Sequence, residues 1–226
     1  LPFMYYLIKT EEEEDEHIEG LFGILNMHRD ALFAFMWLFL GFLIAFSFWY
    51  IVLEDPTLFN AQIETYCSIN SPGNVKSCVS SYSNFDSGAF TGFATKESRL
   101  FSIISNNIYV MIFALFFSLL FGAGAIFILA WNASVIAAAI SVFANYNINQ
   151  IPLGIARYMI HGFPEIAAYF IAALAGGIFG VGVLRNGIRS KVFIRLAENT
   201  AIMLFISILI LILAAVIEVY ITPLLF

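Results

Sequence analysis

Residues 31–53 read ALFAFMWLFLGFLIAFSFWYIVL, a stretch that contains no charged residue and is rich in phenylalanine. About 20 apolar residues are enough to cross the hydrocarbon core of a bilayer, so this stretch predicts a transmembrane helix. Trp49 and Tyr50 lie near its end, where amphipathic rings prefer the membrane interface. The polar pair Glu54-Asp55, followed by Pro56, marks the end of the span.

The composition of the whole chain agrees with a membrane protein. Its 226 residues are 61% hydrophobic and 12% charged, whereas soluble domains are about 45–50% apolar and about 25% charged. The apolar residues collect in long uncharged runs, and too little polar chain remains for a separate soluble domain. We therefore predict an all-α, polytopic membrane helix bundle with about five transmembrane helices, embedded in the lipid bilayer.

Four further runs follow the first span. A polar segment, residues 54–106, separates the first two spans, and we expect it to contain one or two short helices, with one around Ser98–Ser105. The third run is short, and Asn132 is predicted to form the tight turn before it. It either crosses the membrane or forms a re-entrant segment. The predicted runs are residues 107–131, with Gly122 and Gly124 inside, 133–144, 164–184 and 200–220.

Positive charge predicts the orientation. The loop between the last two spans contains the strongest basic cluster of the chain: Arg185, Arg189, Lys191 and Arg195. Lys and Arg favour the cytoplasmic side, so this loop is predicted to be cytoplasmic. With five crossings, the amino terminus is then also cytoplasmic, and the loop 54–106 and the carboxyl terminus are extracytoplasmic. A re-entrant third run would place the cluster and the amino terminus on opposite sides, so the charge rule favours a real crossing.

The amino-terminal segment is acidic. Eight of the sixteen acidic residues precede residue 31, and six of them form the run Glu11–Glu16. Such a run repels itself and is typical of a solvated tail, although it also suits a basic partner. We therefore divide the chain into a cytoplasmic segment, residues 1–30, and a membrane domain, residues 31–226. No signal peptide is predicted, and we expect further residues upstream because the chain does not begin with Met.

Both cysteines, Cys67 and Cys78, fall in the predicted extracytoplasmic loop. In an oxidising compartment such a pair is typical of a disulfide. Two free thiols remain the alternative, while two cysteines without neighbouring histidines provide too few ligands for a metal site.

Several polar residues lie at or within apolar runs, where ionisable groups are costly and need partners. His161 and Glu165 flank the start of the fourth run and share one helical face if the helix includes both. The predicted topology brings all these residues to the outer leaflet. They either form a site for protons, a divalent metal or a hydrophilic substrate, or they cap helices and pair with each other. The set is Asn106, Asn107, Arg157, His161, Glu165 and Glu218.

Gly176 and Gly180 have the small-xxx-small spacing of tightly packed membrane helices, within the chain or across a dimer seam. We find no nucleotide-binding loop and no hydrolase or metalloprotease motif, and we predict no cofactor. The few basic residues form no stripe with aromatic residues, which argues against nucleic acid as a partner.

Several short elements form a recognisable pattern: Asn106-Asn107 opens one apolar helix, His161-Gly-x-x-Glu165 leads into another that contains Ala-Gly-Gly, and Arg185-Asn-Gly follows. This pattern resembles the stage II sporulation protein M family of bacterial and archaeal integral membrane proteins. The resemblance covers residues 28–220, and the His-Gly-x-x-Glu element is its most specific part. The chain departs from the pattern at Asn132-Ala, where Asn-Gly is expected, and in the loop that contains the cysteines.

The namesakes of this family are implicated in engulfment during sporulation, as membrane partners of cell-wall hydrolases. The resemblance therefore implies a non-enzymatic membrane scaffold or complex subunit, with other membrane or envelope proteins, or a second copy of itself, as partners. Two alternatives stay open from the residues. One is a transporter or channel that uses Glu165 and Glu218; the other is an intramembrane metal-dependent enzyme that uses His161 and Glu165.

Overall fold

The computed structural model describes residues 28–53, 56–71, 73–83, 95–121, 125–144, 148–187, 189 and 191–226. Every secondary-structure element in these residues is helical. We number the α-helices in chain order: α1 Arg29–Leu53, α2 Asn60–Asn70, α3 Val75–Ser83, α4 Lys96–Phe121, α5 Ala125–Ala144, α6 Ile151–Asn186, α7 Lys191–Val216 and α8 Thr222–Leu225. Short 3-10 turns precede α2 and α6, and a π-helical turn, Ile217–Ile221, joins α7 to α8.

Five of these helices, α1, α4, α5, α6 and α7, are long and apolar enough to cross a membrane. This confirms the predicted polytopic helix bundle. The predicted amino-terminal segment lies almost entirely in residues 1–27, outside the described part of the chain.

The polar segment after α1 is shorter than predicted. Two short helices, α2 and α3, form within it as expected. The segment predicted around Ser98–Ser105 is no separate helix but the beginning of α4. The backbone N–H of Ser98 donates to the hydroxyl of Thr95 at 3.2 Å, which is the contact of an N-terminal cap. This cap starts the second spanning helix at Lys96, eleven residues before the apolar run begins.

Asn132 does not form a turn. Helix α5 begins at Ala125 and continues through Asn132 to Ala144. A turn within hydrocarbon would leave backbone groups without hydrogen bonds, whereas a continuous helix satisfies them. The prediction of a short third run was therefore wrong. Gly122 and Gly124, which were expected inside the second span, lie outside the described residues.

Helix α6 also begins earlier than predicted, at Ile151, and Pro164 lies inside it. Pro152, the second helical residue, is the proline that suits the helix start, where a missing N–H is not needed. The helix ends at Asn186, and Gly187 follows it with a φ of 71°, the left-handed conformation that glycine adopts without strain. The N–H of Gly187 closes the last turn by donating to the carbonyl of Val183 at 3.0 Å.

The chain forms two compact units. The first comprises the described residues of Leu1–Leu38, Asn107–Leu129 and Pro164–Leu213. Its core is built mainly from apolar side chains of α6 and α7: Ile171, Leu174, Ala175, Ile178, Val181, Leu196, Met203 and Ile206, with Ala31 of α1.

Within this first unit, α4 packs against the glycine face of α6. A Cβ atom at Gly176 would collide with the carbonyl oxygen of Leu115, and one at Gly180 would lie 2.5 Å from the carbonyl oxygen of Leu119. Both contacts advance by four residues in the same sense, so α4 and α6 run parallel. The return of the chain between two parallel helices needs a crossing segment, and α5 is long and apolar enough to be one. Its 20 residues span about 30 Å, which matches the hydrocarbon core.

The second unit comprises the described residues of Phe39–Asn106, Ala130–Phe163 and Ala214–Phe226. It contains the α2–α3 hairpin, which Cys67 and Cys78 join by a disulfide. Both sulfur-bearing side chains are buried together with Ile63. A second small core forms where Tyr50 packs on Phe59 and Ala138.

Candidate functional site

In the first unit, Glu165 of α6 forms a hydrogen bond with Asn107 of α4. The side-chain amide of Asn107 donates to Glu165 Oε1 at 2.6 Å. Asn107 is 5% exposed, so the carboxylate is bound by a buried amide. The pair lies on the same α4–α6 interface as the glycine contacts described above, and therefore adds a polar contact to an otherwise close-packed seam.

Glu165 is not at a helix terminus. The fourth apolar run was predicted to begin at residue 164, and a helix that started there would have free N–H groups near Glu165 that favour an acid. Because α6 begins at Ile151, that reason does not apply, and the Asn107 amide takes its place as a partner.

In the second unit, His161 contacts the segment that follows α7. Its Nδ1 and the hydroxyl of Thr222 are 3.2 Å apart, and the same hydroxyl donates to the carbonyl of Ile217 at 3.2 Å. His161 is 8% exposed. The histidine and the threonine thus brace the π-helical turn, a rare conformation that often occurs at functional sites.

Glu218 lies in this π-helical turn and faces Arg99 of α4. The Arg99 Nη2 atom is 3.6 Å from Glu218 Oε1, and the side chains are 36% and 13% exposed. Glu218 was predicted from its position in an apolar run, but Arg99 was not predicted, because the early start of α4 that places an arginine opposite the end of α7 was not recognised. The capping threonine at position 95 was the available signal.

The α2–α3 hairpin is attached to the rest of the second unit by side-chain hydrogen bonds. The hydroxyls of Tyr66 and Tyr158 are 3.3 Å apart, and the amide of Gln62 donates to the hydroxyl of Ser134 at 3.2 Å. Burial raises the pKa of Tyr66 well above its usual value, and Tyr158 adds to the rise, against the opposing effect of Arg99 and Arg157. Tyr66 therefore stays a neutral hydroxyl that can donate a hydrogen bond.

Arg157 and Asn106 complete the predicted set. The Arg157 guanidinium donates from Nη1 to the carbonyl oxygen of Phe226 at 3.4 Å and lies 5.1 Å from the centre of the Phe143 ring, a cation–π geometry. Asn106 is half-buried on α4. The structure thus places Asn107 and Glu165 in one unit, and Asn106, Arg157, His161 and Glu218 in the other.

Among the described residues, the predicted set forms paired hydrogen bonds and an ion pair between Arg99 and Glu218. Within the described residues, no group of three or more His, Cys, Asp or Glu side chains comes together. A protein metal site usually needs three or four converging ligands.

A model of the family described as stage II sporulation protein M matches residues 31–223, most of the chain. The chain belongs to the stage II sporulation protein M family. No curated protein and no solved structure matches it with significant similarity.

In this member of the stage II sporulation protein M family, the His161-Gly-x-x-Glu165 element lies within one continuous helix. Gly162 leaves room on that helix, since the nearest atom to an added Cβ would be Ile136 Cδ1 at 3.8 Å. His161 faces Thr222, while Glu165, one turn further on, faces Asn107. The two polar residues of the element therefore bind different helices.

Proposed function

We propose that this protein is a non-enzymatic subunit of a membrane complex and that its α2–α3 hairpin is the docking element for an envelope protein. The observation that carries the proposal is the way the hairpin is built. A disulfide between Cys67 and Cys78 closes it, and hydrogen bonds to Tyr158 and Ser134 attach it. A helical pair that is fixed in this way presents a preorganised surface, which lowers the entropic cost of binding.

The outward surface of the hairpin is hydrophilic. Its exposed residues are mostly polar or charged: Asn60, Glu64, Ser68, Asn74, Lys76, Ser77 and Ser80. Contact of such a surface with membrane lipid is unfavourable. Contact with a soluble protein domain suits it better.

Orientation is part of the proposal. Arg185 closes α6 and Arg189 and Arg195 are exposed beside the start of α7. The positive-inside rule places this end of the bundle in the cytoplasm. With five crossings, the acidic residues 1–30 are then cytoplasmic, and the hairpin and the end of α8 are extracytoplasmic. We expect a cysteine introduced at Ser190 to resist an impermeant thiol reagent in intact cells and to react after lysis; labelling in intact cells would contradict this orientation.

Site-specific photo-crosslinking tests the docking role. A photoreactive amino acid replaces Lys76 on the hairpin, and a matched variant carries it at Phe113, which is 54% exposed on α4. In native membranes, we expect a discrete protein adduct at Lys76 at least about fivefold more abundant than at Phe113. Equal adducts at both positions, or none at Lys76, Glu64 and Ser80, would refute the proposal.

The transport alternative keeps one supporting observation, the π-helical turn that places Glu218 opposite Arg99. Irregular helices in transporters are found beside their substrate sites. Glu218→Gln separates the two functions. A docking subunit keeps its Lys76 crosslink in this variant, while a proton-coupled transporter loses ion flux in reconstituted vesicles. Flux in wild-type vesicles that Glu218→Gln abolishes would favour transport over the scaffold.

A further inference from the structure

Arg157 of α6, in the second unit, has an unused capacity to bind an anion. Its guanidinium donates from Nη1 to the carbonyl oxygen of Phe226 at 3.4 Å, which is longer than most N–H···O hydrogen bonds, and lies 5.1 Å from the centre of the Phe143 ring. Within the described part of the chain, no Asp or Glu side chain forms an ion pair with it. A guanidinium has five N–H donors, so most of those of Arg157 have no partner there, and the residue is partly exposed.

Arg99 of α4 adds a second positive charge at the same place. Both guanidiniums act on the hydroxyl of Tyr66, where their charges lower its pKa against the effect of burial. Both also act on the ring of His161. Glu218 balances one of the two charges, because its Oε1 lies 3.6 Å from Arg99 Nη2. The two arginines, here called the arginine pair, therefore keep a net positive charge in a partly buried position, where an uncompensated charge is unfavourable.

Aromatic side chains fix the position of the arginine pair. The hydroxyls of Tyr66 and Tyr158 are 3.3 Å apart. The centre of the Tyr158 ring lies 6.4 Å from that of Phe143 and 6.3 Å from that of His161. The ring that packs on Arg157 thus belongs to the same cluster as the hydroxyl on which both arginines act. Side chains that are already ordered bind a ligand at a lower entropic cost.

The sequence places this cluster at the membrane interface. Arg99 immediately precedes the uncharged run 100–121 of α4, and Glu218 immediately follows the uncharged run 199–217 of α7. Each run is about 30 Å long in a helix, which is about the thickness of the hydrocarbon core. Lipid phosphates lie just outside that core, and dissolved phosphate reaches the same depth from water. Arginine binds phosphate well, since its planar fork donates two parallel hydrogen bonds.

We propose that the arginine pair is a binding site for a phosphate group, in which Arg157 donates directly to the phosphate oxygens and Arg99 adds electrostatic attraction. This inference does not depend on the docking function of the α2–α3 hairpin.

Protection from chemical modification tests the site in the wild-type protein. The full chain in a neutral detergent reacts with phenylglyoxal, which modifies guanidinium groups, and mass spectrometry of peptides measures the rate at each arginine. The probes are inorganic phosphate and dihexanoyl phosphatidic acid. We expect at least one of them to slow modification of Arg157 at least about fivefold and to leave Arg29, whose side chain is 63% exposed, unprotected. An Arg157 that fails to react without a probe, that neither probe protects, or that is protected no more than Arg29 would overturn the proposal.

The two probes distinguish the two sources of a phosphate group. If the ligand is a lipid headgroup, phosphatidic acid should protect Arg157 at a concentration at least about tenfold below that of inorganic phosphate, because its acyl chains add apolar contact. If the ligand is the free ion, both probes should protect at similar concentrations. Acetate is the control anion, and protection by acetate equal to that by phosphate would overturn a phosphate site.

Affinity measurements on variants test the role of Arg157. Isothermal titration calorimetry uses the probe that protects better, and circular dichroism checks that each variant keeps its helices. We expect Arg157→Gln to lower the affinity about tenfold and Arg157→Lys, which keeps the charge but not the fork, to lower it less. The matched control is Arg29→Gln, which removes one positive charge from the first unit and should leave the affinity unchanged. An unchanged affinity in Arg157→Gln, or an equal loss in Arg29→Gln, would overturn the assignment. If Arg157→Gln does not fold, the protection of Arg157 in the wild-type protein decides.

Discussion

The contact between Gly180 and α4 allows a quantitative prediction about the bundle. A methyl group at this position would lie 2.5 Å from the carbonyl oxygen of Leu119, whereas ordinary contacts of a Cβ begin at 3.4 Å. Gly180→Ala therefore requires the two backbones to separate by about 0.9 Å.

The expected magnitude follows from two opposing effects. Overpacking of this kind costs about 1–3 kcal/mol, and replacing glycine by alanine inside a helix contributes about 0.5–1 kcal/mol in the other direction. We expect Gly180→Ala to lower the free energy of unfolding by about 1–2 kcal/mol.

Gly162→Ala is the matched control on the same helix. The added methyl would meet Ile136 Cδ1 at 3.8 Å, an ordinary contact, so only the helix-forming effect remains. We expect this variant to gain about 0.5–1 kcal/mol. The difference between the two alanine variants is then about 2 kcal/mol.

Titration with sodium dodecyl sulfate from mixed micelles, followed by circular dichroism of the helices, measures both variants against the wild type. A free energy of unfolding for Gly180→Ala equal to or above that of Gly162→Ala would refute the reasoning. It would mean that the α4–α6 seam yields without cost and that glycine is not required there.

Three further predictions follow from the polar contacts and the disulfide. Glu165→Gln keeps an acceptor for the buried amide of Asn107 and should change the free energy of unfolding little. Glu165→Leu removes that acceptor and should lower the free energy of unfolding by about 1–3 kcal/mol in the same titration. Equal effects of the two variants would contradict a structural role of Glu165. Unreduced purified protein should contain the Cys67–Cys78 disulfide by mass spectrometry, and replacing both cysteines by serine should destabilise the hairpin by about 2–3 kcal/mol in hydrogen exchange. The raised pKa of Tyr66 means that the folded protein holds the tyrosine proton more tightly than the unfolded chain does. The contribution of Tyr66 to the free energy of unfolding is therefore fully present below about pH 10, the ordinary pKa of a tyrosine, and is lost as the pH rises from there through the pKa of the folded state. Tyr66→Phe should flatten this loss of stability at high pH, and an unaltered pH profile would show that Tyr66 ionises freely.

The predictions from sequence were most accurate where the hydrophobic effect acts on single segments. Long uncharged runs such as residues 31–53 identify spanning helices whatever lies beside them, because each segment must satisfy its backbone hydrogen bonds alone in lipid. Five helices that are long and apolar enough to span a membrane and the family followed from such local patterns, whereas the positions of the two short helices in the polar segment did not. Boundaries were predicted poorly, because they were placed where the apolar runs ended. Helices α4 and α6 continue through polar residues that the adjacent structure accommodates, and a capping threonine and Pro152 mark their true starts.

The candidate site likewise has a part that was predicted from sequence and a part that was not. Residue type alone identified Glu165, His161 and Glu218 as polar groups that need partners, since a lone ionisable group in hydrocarbon is costly. Which partner each one has depends on which helix faces are adjacent, and no spacing along one chain contains that information. Asn107 for Glu165, Thr222 for His161 and Arg99 for Glu218 were decided by the tertiary structure. The sequence by itself therefore determined that this protein spans a membrane with helices, and the packing of those helices decided the hydrogen bonds and the glycine seam.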